Sequence, residues 1–236
     1  MNERTGKGVE MGAEQWQGEL YIGFAFALFR GLAGDNAPHR HYAAQCAYGE
    51  TTEVAIARAD GTFSRGRFLH VPSETVHCLQ ASDQVVRLLY YEPAMARDQP
   101  LETLFAALAA PDWQNFDWAS LFGLPPRGDG RVRRALVWLD KAMDEALGAT
   151  QMARAVGLSR NRFMALWAAE IGVPVRRYIL WRRLKLAAMA IAGGATLTSA
   201  AHAAGFADSA HFARTMKAMF GVTATDSLQR LNIVLL

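Results

Sequence analysis

Cysteine is scarce: Cys46 and Cys78 are the two among 236 residues. A disulfide framework is therefore excluded as the source of stability, and a reducing compartment is expected. Long hydrophobic runs are missing as well. The longest early run, Leu20–Phe29 (LYIGFAFALF), is too short to span a bilayer. Glu10, Glu14 and Glu19 precede it, where a signal peptide needs positive charge. A cytoplasmic location with no membrane partner is expected. The chain also lacks a phosphate-cradling Gly-Lys loop and a Gly-x-Ser-x-Gly nucleophile elbow. With 51% hydrophobic and 20% charged residues, it has the composition of a soluble globular protein with a substantial core.

What is present is divided unevenly. Residues 1–130 carry 10 Lys+Arg and 16 Asp+Glu, a net of −6. Residues 131–236 carry 15 and 6, a net of +9. A change of sign between halves suggests two domains, the basic one facing a polyanion.

Patterning supports the division. Residues 1–18 are rich in Gly and Glu and read as a flexible tail. Over 19–95, short apolar or alternating runs are broken by Gly, Pro and Asp, with a hairpin marked by Asp60-Gly61. That spacing suits a β-sandwich or barrel. Residues 96–124 turn helical and are a candidate dimer element. Residues 125–130 (PPRGDG) read as a linker. Everything after Arg131 reads as helix, a domain over 131–232.

The helical half repeats itself. Thr150 and Gly157 recur 48 residues later as Thr198 and Gly205, while Phe163 and Gly172 recur 49 residues later as Phe212 and Gly221. A duplicated unit is implied, and each copy reads as helix-turn-helix. Thr150 or Thr198 caps the first helix. Ala153 or Ala201 permits close crossing, and Gly157 or Gly205 takes the left-handed turn. Ser159 or Asp208 caps the second helix, anchored by Phe163 or Phe212.

The second helices present outward faces. In the later copy Phe212, Met216, Met219 and Phe220 form the buried arc, opposite Ala210, His211, Arg214 and Lys217. In the earlier copy Phe163, Leu166 and Trp167 are buried, with Asn161, Arg162 and Ala165 outward and Met164 at the edge. Between the copies, a helix beginning after Pro174 and stopping at Gly193 would be about 27 Å long. Such a rod could set two reading helices about one DNA turn apart. Arg176, Arg177, Arg182, Arg183 and Lys185 make it basic.

These features, above all AAHAAGFADSAHFARTMKAMFG, resemble the DNA-binding domain of the AraC/XylS family of transcription regulators. The resemblance covers about 131–232. It implies double-stranded DNA as partner and base-facing roles for Asn161, Met164, Ala165, Ala210, His211 and Arg214. Arg160, Arg162, Ser209 and Lys217 complete the candidate DNA-binding set. Ala224 stands where the family usually has proline.

In the acidic half, His39, His41 and Gln45 share one side of an alternating strand, and His77 follows in GRFLHVPSETVHC. The pattern resembles the two cupin motifs, although Gln45 replaces the usual Glu and Glu74 the usual Gly. The resemblance implies a metal or ligand site at these four residues, for Zn²⁺, Fe²⁺, Ni²⁺ or Cu²⁺ through imidazole nitrogen. Cys46 and Cys78 face away by strand parity and read as core.

The expected fold is α+β, a cupin-like β-barrel followed by helices and then an all-α domain with two helix-turn-helix units. The expected function is a sequence-specific DNA-binding regulator, not an enzyme, whose barrel senses a small molecule or metal. The alternatives are a metal-dependent cupin enzyme fused to a DNA-binding module, and a regulator without an effector. A homodimer would be built on Leu101–Phe122.

Overall fold

The computed structural model describes residues 15–96, 99–122, 128–142, 147–224, 228 and 230–236. The acidic half folds into two sheets. The larger takes β1 (Gln17–Ile22), β2 (Phe26–Leu32), β3 (Ala44–Gly49), β6 (Phe68–Val71), β8 (Val85–Tyr91) and β9 (Leu231–Leu235) in the order β6-β3-β8-β2-β1-β9. The smaller holds β4 (Val54–Arg58), β5 (Phe63–Gly66) and β7 (His77–Leu79) in the order β5-β4-β7.

The apolar run Leu20–Phe29 is not one strand. It doubles back, with the Gly23 N–H donating to the Phe26 carbonyl (3.0 Å) and Ile22 paired with Ala27. The Asp60-Gly61 hairpin forms as expected between β4 and β5, with Gly61 in the left-handed region (φ 80°) and Asp60 Oδ1 accepting from Thr62 N (2.9 Å).

Period-two alternation decides which layer each side chain enters. Phe29, Ala47 and Leu88 pack between the sheets with Ile56, Val71 and Leu79. Their strand neighbours Leu28, Cys46 and Leu89 face the helices. The large sheet is thus covered on both faces, which is why β3 and β8 are nearly all apolar.

Helices α1 (Leu101–Ala109) and α2 (Trp118–Phe122) cover the outer face. Leu104, Leu108, Trp113, Trp118 and Phe122 are fully or almost fully buried there. Much of the apolar surface of Leu101–Phe122 therefore packs within the chain, while Phe116 stays 37% exposed. Arg87 holds α1 by its exposed end, donating to the carbonyls of Leu108 (2.9 Å) and Ala110 (2.8 Å).

The basic half contains α3 (Gly130–Lys141), α4 (Ala149–Ala155), α5 (Arg160–Ile171), α6 (Val175–Ala192), α7 (Leu197–Ala203) and α8 (Ser209–Phe220). No helix among the described residues is long and apolar enough to cross a membrane. The final element is a strand, not a helix: β9 runs parallel to β1, from Gly18 opposite Leu231 to Ile22 opposite Leu235. Leu231, Ile233 and Val234 are half-buried, and Ile233 packs against the core of α6–α8. Of the expected tail, residues 1–14 lie outside the described residues, while Gln17 and Gly18 belong to β1. The linker PPRGDG falls partly outside the described residues. Its Asp129 caps α3 by accepting from Arg131 N (2.8 Å).

Candidate nucleic-acid interface and effector cavity

Each expected helix-turn-helix unit is present, α4–α5 and α7–α8. Ser159 and Asp208 cap the second helices as expected, accepting from Arg162 N (3.4 Å) and His211 N (2.5 Å). Gly157 (φ 70°) and Gly205 (φ 76°) take the left-handed turn, a conformation that is costly for residues with a Cβ. The first-helix caps differ from expectation. Thr150 lies inside α4, whose N-cap is Gly148. Thr196 caps α7 two residues before Thr198, accepting from Ser199 N (3.2 Å). A threonine one position inside a helix mimics a cap in sequence, because both occur in its first turn.

The outward faces sort as amphipathicity dictates. Phe163, Trp167, Phe212, Met216 and Met219 are buried. Arg160, Asn161, Arg162, Ala165, Ser209, Ala210, Arg214 and Lys217 are exposed. Met164 is half-buried against the core, and His211 is half-buried with its ring edge-on to Phe206 (5.2 Å).

The rod helix α6 spans 18 residues from Val175 with Pro174 as N-cap. Its charges do not face outward as a basic stripe. Arg182 is buried, 3.1 Å from Glu92 and also paired with Asp140. Arg183 is buried, and Lys185 donates to the Phe24 carbonyl. Arg177 lies 2.6 Å from the Glu74 carboxylate. The helix is a clasp between the halves, and only Arg176 of the five is exposed. Glu92 organises that clasp, accepting from Tyr178 Oη (2.8 Å), Trp181 Nε1 (3.2 Å) and Arg182 Nη1 (3.1 Å). Three donors on one buried carboxylate offset the cost of removing it from water.

Glu74 was expected where the resembled motif has glycine, and its backbone is one that favours glycine: φ is +61°. The strain is tolerated beside two partners. The Glu74 N–H donates to the His41 carbonyl (2.9 Å), and its side chain holds Arg177.

His39, His41 and His77 come together, each offering a ring nitrogen within 4.8 Å of the others. Regular β3 begins only at Ala44, so His39 and His41 sit in a loop tied by a single bridge, His39 to His77. All three rings are buried. Each Nδ1 faces a backbone carbonyl: Ala37 for His39 (2.8 Å), Ala43 for His41 (2.8 Å) and Thr75 for His77 (2.9 Å). A carbonyl only accepts, so every Nδ1 carries the proton and every Nε2 keeps its lone pair. Carbonyl orientation of this kind is how ligating histidines are held. His41 Nε2 is buried with no hydrogen-bond partner among the described residues. Gln45 Oε1 is 3.1 Å from His77 Nε2, which makes a hydrogen bond only with the amide turned to present its NH₂. The donor set therefore fits a divalent transition metal held by three imidazoles. Burial and the neighbouring rings push His39 down to about 4 and His41 to about 3, keeping them neutral at pH 7. Cys46 and Cys78 are not ligands. Burial pushes the Cys46 thiol up to about 12, and Cys78 Sγ donates to the Asn36 carbonyl (3.0 Å).

Sequence reasoning did not find the cavity. About 130 Å³ of space lies between the large sheet and the helical half. The sheet contributes Leu20, Ile22, Phe26, Phe29 and Tyr90 to its wall. The helices contribute Trp181, Leu184, Ala188, Met216 and Phe220. His39 and Gln45 also line it, so the histidine cluster and the cavity share a wall. The only signal in the sequence was Glu92, an acid ending an apolar strand.

Two helix-turn-helix units on either side of a clasped rod, joined to a β-domain, define a DNA-binding architecture. Residues 152–230 match the model of a helix-turn-helix domain family, and this segment is a DNA-binding domain of the AraC type. The whole fold is similar to ToxT of Vibrio cholerae. An apo ToxT variant superposes with a TM-score of 0.59 at 10% identity, covering 88% of this chain and 98% of that one. ToxT bound to a methylnaphthalenyl butenoic acid gives 0.57 at 8% identity, over 88% and 99%. ToxT bound to an unsaturated fatty acid gives 0.54 at 9% identity, over 94% and 98%. No curated protein sequence matches the chain.

Proposed function

We propose that this protein is an effector-responsive, sequence-specific DNA-binding regulator rather than an enzyme. Helices α5 and α8 read DNA through Asn161, Ala165, Ala210 and Arg214. Arg160, Arg162, Ser209 and Lys217 lie beside the phosphates, with Met164 and His211 at the edges. The effector is a small, largely apolar molecule in the cavity. One observation carries this reading: Met216 and Phe220 belong to α8 and also line the cavity. A molecule in that space touches the reading helix directly, so its binding energy can differ between two settings of α8. ToxT, which shares the fold, has been crystallised with a fatty acid and with an apolar acid.

The test is selection of duplexes by the full-length protein from a random pool, then titration of the selected duplex at several salt concentrations. Preferred sites are expected, with affinity falling steeply as salt rises. A protein that retains every duplex equally would lack the proposed specificity.

The clustered ring nitrogens, each Nε2 left with its lone pair, favour a second element, a divalent transition metal at His39, His41 and His77 with Gln45 beside it. The metal would draw the loop carrying His39 and His41 to β7 and supply a Lewis-acidic point on the cavity wall. Protein purified without chelator should carry close to one metal per chain by elemental analysis, and His77→Ala should lose it. Wild-type protein without metal after growth in supplemented medium would remove this element and leave the DNA-binding reading intact.

A further inference from the structure

We propose that the cavity recognises a small hydrocarbon ring carrying one uncharged group that both donates and accepts a hydrogen bond, a hydroxyl being the simplest. This rests on the effector reading above and adds the chemistry of the effector. Size is the first argument. About 130 Å³ is close to the roughly 150 Å³ apolar space that holds benzene in an engineered core. One ring with a short substituent fills it.

The second argument is two buried polar atoms. Among the described residues Trp16 Nε1 and Asn36 Oδ1 have no hydrogen-bond partner, and both residues line the cavity. An indole N–H can only donate. The Asn36 amide is fixed in orientation because its Nδ2 donates to the Leu79 carbonyl (2.7 Å) and faces the Gly34 carbonyl (3.4 Å). Its Oδ1 is therefore a true spare acceptor. The two residues lie on neighbouring stretches of chain. At Gly34 the chain runs so close to Gln15 and Trp16 that an added Cβ would sit 2.5 Å from Trp16 N, and Asn36 is two residues further on. Native interiors rarely leave buried donors and acceptors unpaired. A hydroxyl satisfies both, its oxygen accepting from Trp16 Nε1 and its hydrogen going to Asn36 Oδ1.

Three other polar groups on the wall already have partners. Glu92 holds three donors, Lys185 donates to the Phe24 carbonyl and His39 Nδ1 to the Ala37 carbonyl. A carboxylate would present only acceptors to Asn36 Oδ1, so an anionic head suits this end poorly.

Phenol and toluene are nearly equal in size and differ by hydroxyl against methyl. Calorimetric titration of the full-length protein at pH 7 with phenol, toluene and benzoate tests the proposal. Toluene leaves water more readily, yet phenol is expected to bind about tenfold more tightly, the effect of well-made hydrogen bonds. Trp16→Phe and Asn36→Leu should each abolish that preference while leaving toluene affinity within about threefold. Asn36→Leu also breaks the bond to Leu79, so Trp16→Phe carries the test if the other variant does not fold. Toluene binding more tightly than phenol would overturn the proposal while keeping the cavity as the effector site. Benzoate binding more tightly than phenol would overturn it in favour of Lys185 as the head-group partner. Failure of all three to bind would overturn the effector reading of the cavity itself.

Discussion

The ring of Phe220 lies 5.6 Å from the ring of His41. Phe220 ends the second reading helix, and His41 belongs to the buried histidine cluster. Tyr90 and Trp181 complete the contact, each 6.0 Å from Phe220. Helix α8 thus ends on an aromatic cluster in the wall of the cavity, and under the proposed function it would respond to that cavity without any intermediate element.

The joint after Phe220 is unusually tight. Gly221 has φ 71°, and an added Cβ would lie 2.1 Å from the Ala37 carbonyl oxygen. The Gly221 carbonyl also accepts from Ala37 N (2.9 Å). Gly221→Ala should therefore destabilise by more than about 3 kcal/mol, combining left-handed strain with a backbone clash. Gly157→Ala is the control, since its φ is 70° but, its chain neighbours aside, no atom of the described residues lies within 4 Å of the added Cβ. It should cost only about 1–2 kcal/mol. Equal losses in urea denaturation would mean that the contact with Ala37 is not a constraint.

Arg214 is exposed in the middle of α8, with no ion-pair partner among the described residues. Arg214→Ala should weaken binding to the selected duplex by about 1–3 kcal/mol if the guanidinium reads a base edge. Fluorescence anisotropy on selected and scrambled duplexes separates the two roles. An equal loss on both would make it a phosphate contact.

Arg182 and Glu92 are buried together, 7% and 1% exposed at the side chain. Arg182→Met leaves the Glu92 carboxylate with two uncharged donors and no cation. The expected cost is about 3–5 kcal/mol, read as a lower urea midpoint. A change below about 1 kcal/mol would show that water enters the interface and screens the pair.

The histidines set an acid limit. His39 and His41 stay unprotonated until about pH 4 and 3 when folded, against 6.5 for an unperturbed ring. A base with a depressed folded pKa takes up its proton on unfolding, so acid favours the unfolded chain. In chelator, stability should be level from pH 8 to 7 and then fall below about 6.5. At pH 4 the loss is about 3 kcal/mol per ring. A urea midpoint that stays constant down to pH 4.5 would refute this.

Much of this was legible in advance, and the pattern of misses is physical. The repeat, the turn glycines, the caps Ser159 and Asp208 and most of the buried arcs follow from local periodicity and spacing, with Leu166 and Phe220 only half-buried, whereas the histidine triad was grouped through its resemblance to the cupin motifs. What failed depends on which surface meets which. Arg177, Arg182 and Lys185 have the composition of a solvated basic stripe, and only the partners Glu74, Glu92 and the Phe24 carbonyl show that they face inward. Leu101–Phe122 is apolar enough for a dimer, and only the sheet beneath it shows what it covers. The residues LNIVL read as the end of a helical domain because their pairing partner, β1, lies some 210 residues earlier.

That last pairing limits how the molecule can respond. Cutting the chain at the Pro125–Gly130 junction would strip one half of its border strand and leave the other with an orphan ribbon at Leu231–Leu235. Neither fragment is the intact machine in miniature. Since α6 and this ribbon join α8 to the β-layer at two points, the response proposed above would take the form of a small pivot rather than a release.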